Sequence, residues 1–231
     1  MPFREEQLDN PVWWALRGEQ SPFAIASDDG SALRYRPTVS VFAAVDDVDA
    51  RAWTALRQVA GPGGVVALMR AEIGPVSDGW TEVFRGAVVQ MVAPTVAPDF
   101  ETHPDVTELT EEDGDDMFTL ATTTRPGPFE ARTSDLGRFV GVRRDGALVA
   151  MAGERFRISG ATEISAVCTA ETERGQGWGA QLTLEVARHI QARGEVAFLH
   201  VEPANPALAL YERLGFTQRR QSVVVAATRV E

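Results

Sequence analysis

The stretch Val167-Cys168-Thr169-Ala-Glu-Thr-Glu-Arg174-Gly175-Gln176-Gly177-Trp178-Gly179-Ala180 decides how the rest of the chain is read. Before it runs a strand-like segment, Thr162-Glu-Ile-Ser-Ala-Val-Cys-Thr169, rich in β-branched and apolar residues. After it, Leu182, Val186 and Ile190 recur four apart, which predicts one buried face of a helix over 181–193. Between the two, Gly175, Gly177 and Gly179 carry no Cβ. A strand, a glycine-rich turn and a helix that opens at the turn make a cradle for an anion. The first N–H groups of the helix have no intrahelical partner, the helix dipole favours negative charge there, and glycines let a bulky anion reach the backbone.

Two phosphate-binding patterns fail on these residues. The pattern G-x-x-x-x-G-K-[ST] needs a lysine, and every basic side chain of this sequence is arginine. The dinucleotide pattern G-x-G-x-x-G is not matched either, because the spacing from Gly175 is G-x-G-x-G and no opening β–α–β unit precedes it. Taken alone, the loop is as well read as a turn without a ligand.

A second segment adds weight. Arg174-Gly-Gln-Gly177-Trp-Gly179-Ala resembles the Q/R-x-x-G-x-G/A signature of the GNAT superfamily of N-acetyltransferases. Downstream, Asn205-Pro-Ala-Leu-Ala-Leu-Tyr211-Glu-Arg-Leu-Gly215-Phe216 is similar, in altered form, to that family's N-x-x-A-x-x-x-Y-x-x-x-G-F segment; here Asn205 precedes Tyr211 by six residues. The resemblance runs from about 106 to 231. It implies an α/β (α+β mixed) acyl-CoA N-acyltransferase fold. It also implies acetyl-CoA as cosubstrate, its pyrophosphate on the loop of Arg174, Gly175, Gln176, Gly177, Trp178, Gly179 and Ala180. The backbone of Val167, Cys168 and Thr169 would pair with the pantetheine arm, with Asn205 at the cofactor or capping the next helix. An N–H near Val167 would hold the oxyanion.

Composition bounds the rest. The 231 residues are 44% apolar, enough for a sizeable core in one or two domains. No apolar run is long enough for a transmembrane helix, and the acidic N-terminus has no secretory h-region. A single cysteine, Cys168, fits a reducing cytoplasm. A net charge of −11 argues against general nucleic-acid or membrane binding and weakly favours a cationic amine. The expected partner is an amine-bearing small molecule or peptide; a homodimer is left open. The three His and one Cys show no metal-ligand spacing, so no metal is expected.

Taken in order, 1–95 reads as a β–α–β–β region without a glycine cradle, hence non-catalytic, and could be a degenerate copy of the family fold. Trp13 and Trp14 read as a helix packing its aromatics, with a substrate platform as the less favoured alternative. Residues 39–45 read as a strand, 46–60 as a helix capped by Asp46 or Asp47, 65–69 as a strand, and 80–84 and 87–92 as two more. Residues 96–105, in a proline-containing stretch, read as a linker. The catalytic region 106–231 opens with a strand at 106–109. A capping box at Thr110–Asp113 then starts a helix that Arg125-Pro126 ends. Two strands follow around the Asp145-Gly146 turn, and a third after Ser159-Gly160. Beyond the loop helix come a strand at 195–202, a helix at 206–214 and a last strand at 223–230.

Acetyl transfer to an amine needs a base, since the amine is protonated at neutral pH. Glu163, five residues before Cys168, is the first candidate; its place resembles the base glutamate of the family's histone-acetylating branch. Glu154 is second and His200 third. Each is also readable as a structural residue, the glutamates in ion pairs with Arg155 or Arg157. Family analogy makes Tyr211 the proton donor to the departing thiolate. A direct ternary-complex transfer is expected. The alternative is a catalytically silent CoA-binding module whose N-terminal half is an interaction surface.

Overall fold

The computed structural model describes residues 3–93, 95 and 101–230. Pro11 occupies the first position of helix α1 (Pro11–Arg17), where its missing N–H has no intrahelical role. Trp13 is buried in the core while Trp14 stays exposed, so only the first of the pair packs inward. Strands β1 (Ala24–Ala26), β2 (Ala32–Tyr35) and β3 (Ala43–Val45) form a small antiparallel sheet. The sequence reading missed β1 and β2, which are too short to show a period. The strand expected over 39–45 shrinks to β3, with Phe42 bridging to Ala67.

Helix α2 (Ala50–Ala60) starts later than expected: Asp49, not Asp46 or Asp47, is its cap, accepting the Ala52 N–H at 2.8 Å. Asp49 has the extended backbone that this position requires. Strand β4 (Val65–Arg70) follows, and the two strands expected over 80–92 are one long strand, β5 (Trp80–Ala93). Of the linker expected over 96–105, residues 96–100 lie outside the described residues.

Beyond it come β6 (Val106–Leu109), α3 (Gly114–Thr124), β7 (Phe139–Arg144), β8 (Ala147–Ile158) and β9 (Ala161–Thr169). They are followed by α4 (Trp178–Ala192), β10 (Val196–Val201), α5 (Ala207–Arg213) and β11 (Thr217–Arg229). The capping box is present: the Asp113 carboxylate accepts the Thr110 N–H at 2.7 Å. The Asp145-Gly146 turn has φ of 50° and 83°, the left-handed pair that a two-residue hairpin needs.

The large sheet has the order β4-β11-β5-β10-β9-β8-β7-β6. Strand β5, from the first 95 residues, lies between β10 and β11, so one sheet runs through both expected regions. Within this sheet β9 and β10 are the parallel neighbours; every other pairing is antiparallel. One face is covered by α4 and α5: Leu182, Val186 and Ile190 pack with Ala150, Leu199 and Tyr211. The other face carries Phe156, Ile158 and Phe198 beneath Leu8, Leu16 and Tyr35. The helical stripe expected at Leu182, Val186 and Ile190 is buried.

Candidate active site

The sheet opens where its parallel pair ends. Pairing of β9 with β10 covers 161–164 against 196–199 and stops at Ile164 and Leu199. Strand β9 continues to Thr169 with β8 on one edge and no ladder to β10 on the other. A bulge interrupts the β8 side. Met151 pairs with Cys168 and Gly153 with Ser165, so Ala166 and Val167 together face Ala152. Ala166 sits at φ 55°, which a residue with a Cβ seldom adopts. The result is a free strand edge at 165–169, outside the carboxyl end of a parallel pair, where α/β folds bind ligands.

The glycine loop lies at the end of this edge. Gly175 and Gly177 have φ of 82° and 86°, and a Cβ built on either meets no atom within 4 Å, so the space above both is open. The first bond of α4 runs from the Gln181 N–H to the Gly177 carbonyl at 3.1 Å. The N–H groups of Trp178, Gly179 and Ala180 precede it and have no intrahelical acceptor. The chemistry and the space fit a pyrophosphate. Arg174 is exposed and pairs with no described side chain, whereas Gln176 is tied to Glu173 at 2.8 Å. The Trp178 side chain is core, with the His103 ring 4.9 Å away and Arg144 over its face, so only its backbone faces an anion.

Tyr211 packs from α5 into the helix-covered face beside Phe216, and its hydroxyl forms no hydrogen bond to a described residue. Burial pushes its phenol up to about 12. Asn205 accepts the Ala207 N–H at 2.9 Å in the turn that leads into α5, whose cap position is Pro206. Cys168 is buried, and that burial pushes its thiol up to about 11; such a thiol is a poor acyl carrier. A separate recess of about 360 Å³ is lined by Leu109, Thr110, Met117, Arg132 and Phe139, away from the glycine loop.

The two glutamates expected as bases have other surroundings. Glu163 is fully buried and held bidentately by Arg155 at 2.7 and 2.8 Å. Burial alone would raise its carboxyl, but the Arg155 charge and hydrogen bonds from Arg155 and His200 outweigh it and hold it near 2. A carboxylate so stabilised has little affinity for a substrate proton. Glu154 is buried against Arg193 at 2.8 Å, at the C-terminal cap of α4. The far end of a helix this long is roughly 22 Å from the glycine loop. Both glutamates, expected as bases, are counter-ions of arginines in this structure. His200, ranked below both from sequence, follows Leu199, the last residue of β10 paired to β9, and its buried ring sits between Glu163, 2.6 Å from Nδ1, and Gln90 of β5, 3.1 Å from Nε2. Its surroundings are set by register across three strands, which no local motif encodes. Among the described residues no cluster of His, Cys, Asp or Glu could hold a metal ion.

A mixed sheet opened between two parallel strands, with a glycine-rich helix start beside the opening, defines the fold class of the GNAT acetyltransferases. The FR47-like protein family matches residues 139–225. A GNAT-family protein from Novosphingobium aromaticivorans is 37% identical, covering 97% of this chain and 99% of its own, with a TM-score of 0.88. A GCN5-related N-acetyltransferase from Kribbella flavida shares the fold at 20% identity, over 99% of this chain and 96% of its own, with a TM-score of 0.63. A GNAT-family acetyltransferase from Colwellia psychrerythraea does so at 15% identity, over 89% and 80%, with a TM-score of 0.51. No curated protein matches. The chain belongs to the GNAT family. The likeness takes in the first hundred residues, which the two sequence motifs did not reach. No helix among the described residues is long and apolar enough to cross a membrane.

Proposed function

We propose that the protein transfers an acetyl group from acetyl-CoA to the primary amine of a small molecule or peptide, directly and within a ternary complex. The observation that carries this reading is the free edge of β9 at 165–169 ending at the glycine loop. The N–H groups at the start of α4 would hold the pyrophosphate, with Arg174 free to pair with phosphate. An anion there gains about 0.3–1 kcal/mol from the helix dipole, before its hydrogen bonds are counted. The free edge of β9 would take the pantetheine amides by strand addition. The bulge at Ala166 and Val167 leaves a residue out of the ladder, and an N–H near Val167 would stabilise the oxyanion. The cosubstrate supplies an activated thioester; the residues of this chain bind, orient and move protons. Tyr211 donates to the departing sulfur from the helix-covered face.

Calorimetric titration with acetyl-CoA tests the reading. Micromolar binding is expected, abolished in Gly177→Glu, whose carboxylate would enter the open space above the loop. Absence of binding by the wild type would sink it.

A further inference from the structure

We propose that the Ser165 hydroxyl anchors the acceptor: it accepts an N–H of the incoming ammonium group and holds that nitrogen on the sheet face opposite Tyr211. This inference rests on the acetyltransferase reading above. It starts from which way the side chains of β9 point. Residues directly opposite each other on paired strands share a face. Ser165 pairs with Gly153, and Gly153 with Phe139. Phe139 packs with Met117, Leu120 and Ala121 of α3, so this row faces α3 rather than α4. Ala166 and Cys168 pack in that same cluster, whereas Ile164, Val167 and Tyr211 pack on the side of α4. Ser165 and Ala166 therefore fall on one face, because the bulge inserts a residue into the alternation.

The hydroxyl is free to take a ligand. Ser165 is half-buried, and its Oγ is neither bonded to a described residue nor sealed from solvent. Its flanks on the sheet are small or missing. On β8, Gly153 carries no side chain, and the Phe139 ring leans over that position. On the β10 side the ladder ends at Ile164, one residue earlier. The other polar side chains of β9 on this face are engaged or inert. Glu163 is held by Arg155 and His200, and Cys168 is a buried thiol pushed up to about 11. Ser165 is what remains at the opening with hydrogen-bonding capacity to spare.

Reach and chemistry agree. Val167, whose N–H would hold the thioester oxygen, is two residues on, roughly 6–7 Å along an extended strand and less across a bulge. That span fits a bond of about 3 Å from Val167 to the oxygen, an attacking nitrogen about 3–3.5 Å from the carbonyl carbon, and a contact of about 3 Å from that nitrogen to Ser165. An ammonium group donates three N–H bonds, and a serine oxygen has two lone pairs to receive one. Once the nitrogen has lost a proton, a remaining N–H keeps its bond to Ser165 while the new lone pair turns to the carbonyl carbon. The nucleophile is held on one face and Tyr211 attends the sulfur on the other, so the two do not compete for space.

Two measurements test the proposal. Acetyl transfer is followed with butylamine and with a lysine-containing peptide, and the faster acceptor is kept. Ser165→Thr and Ser165→Val give side chains of the same shape, both suited to a strand, of which only the first has a hydroxyl. The KM for the amine is expected to be at least about tenfold higher in Ser165→Val than in Ser165→Thr, with equal affinity for acetyl-CoA by calorimetry. Equal KM values, or an acetyl-CoA affinity that falls with the hydroxyl, would overturn the assignment and leave the acetyltransferase reading standing. The second measurement uses wild type alone. The N-trimethylated form of the acceptor keeps the charge and has no N–H to donate, so its inhibition constant should lie at least about tenfold above the KM of the amine. Inhibition as tight as that KM would show that charge alone holds the nitrogen and would overturn the anchor. Wild type that binds acetyl-CoA but acetylates neither amine would overturn the acetyltransferase reading, and the proposal with it.

Discussion

Glu163 is a buried carboxylate whose charge is kept by its neighbours rather than by water. Arg155 and His200 satisfy it so fully that its carboxyl sits near 2 despite burial. Removing the carboxylate leaves the Arg155 guanidinium buried and unpaired, so Glu163→Ala should destabilise the fold by about 3–5 kcal/mol in urea unfolding. The sign of the pH dependence follows. A folded pKa below the unfolded one adds stability that is complete above about pH 5 and is lost as pH falls toward 2. Wild type should therefore unfold more readily across that window, and Glu163→Ala should lack this part of the acid sensitivity. Tyr211 is raised in the opposite sense: at about 12 its phenol stays protonated, and able to donate, throughout the working range. Tyr211→Phe should lower kcat about 100-fold with acetyl-CoA binding retained. An alkaline fall in wild-type rate below pH 11 that vanishes in the variant would contradict this. At this scale the glycines and Tyr211 could be singled out from the sequence, because the motifs that carry them are local. The sequence offered an ion pair of Glu163 with Arg155 as one reading but could not select it. Arg155 is eight residues away, and the contact depends on how β8 is bulged against β9.

At the scale of elements, local chemistry decided what could be read. The β7–β8 hairpin was legible because Asp145-Gly146 suits the left-handed turn, and α4 because its apolar residues recur every four. Strands of three or four residues, as in β1 and β2, carry no period. The start of α2 went astray because Asp46, Asp47 and Asp49 are equivalent caps on paper; backbone conformation selects Asp49. Asp49→Ala should cost about 1 kcal/mol of stability, and Asp46→Ala close to nothing, in thermal unfolding. The opposite ranking would return the cap to the earlier residue. The opening between β9 and β10 was legible only through the family likeness. A strand does not announce where its neighbour stops pairing.

The whole molecule turns on β5. A division at the 96–105 linker looks natural from the sequence, since both motifs and the glycine loop lie beyond it. In the sheet, however, β5 pairs with β10 over Val89–Ala93 and with β11 along nearly its whole length. It joins the opening's own strand to the last strand of the chain. A fragment of residues 106–231 would leave β10 and β11 without the strand that holds them together. It would also expose two rows of backbone N–H and C=O groups and uncover Phe156 and Phe198, now roofed by Leu8, Leu16 and Tyr35. Such a fragment should be insoluble or lack a cooperative thermal transition, and adding residues 80–105 should restore β structure only in part, because the roof would still be missing. If residues 106–231 alone unfold cooperatively and bind acetyl-CoA, the catalytic half is self-sufficient and β5 is an accessory. If they do not, the N-terminal residues are part of the one folding unit that carries the glycine loop, with β5 as the strand that joins β10 to β11.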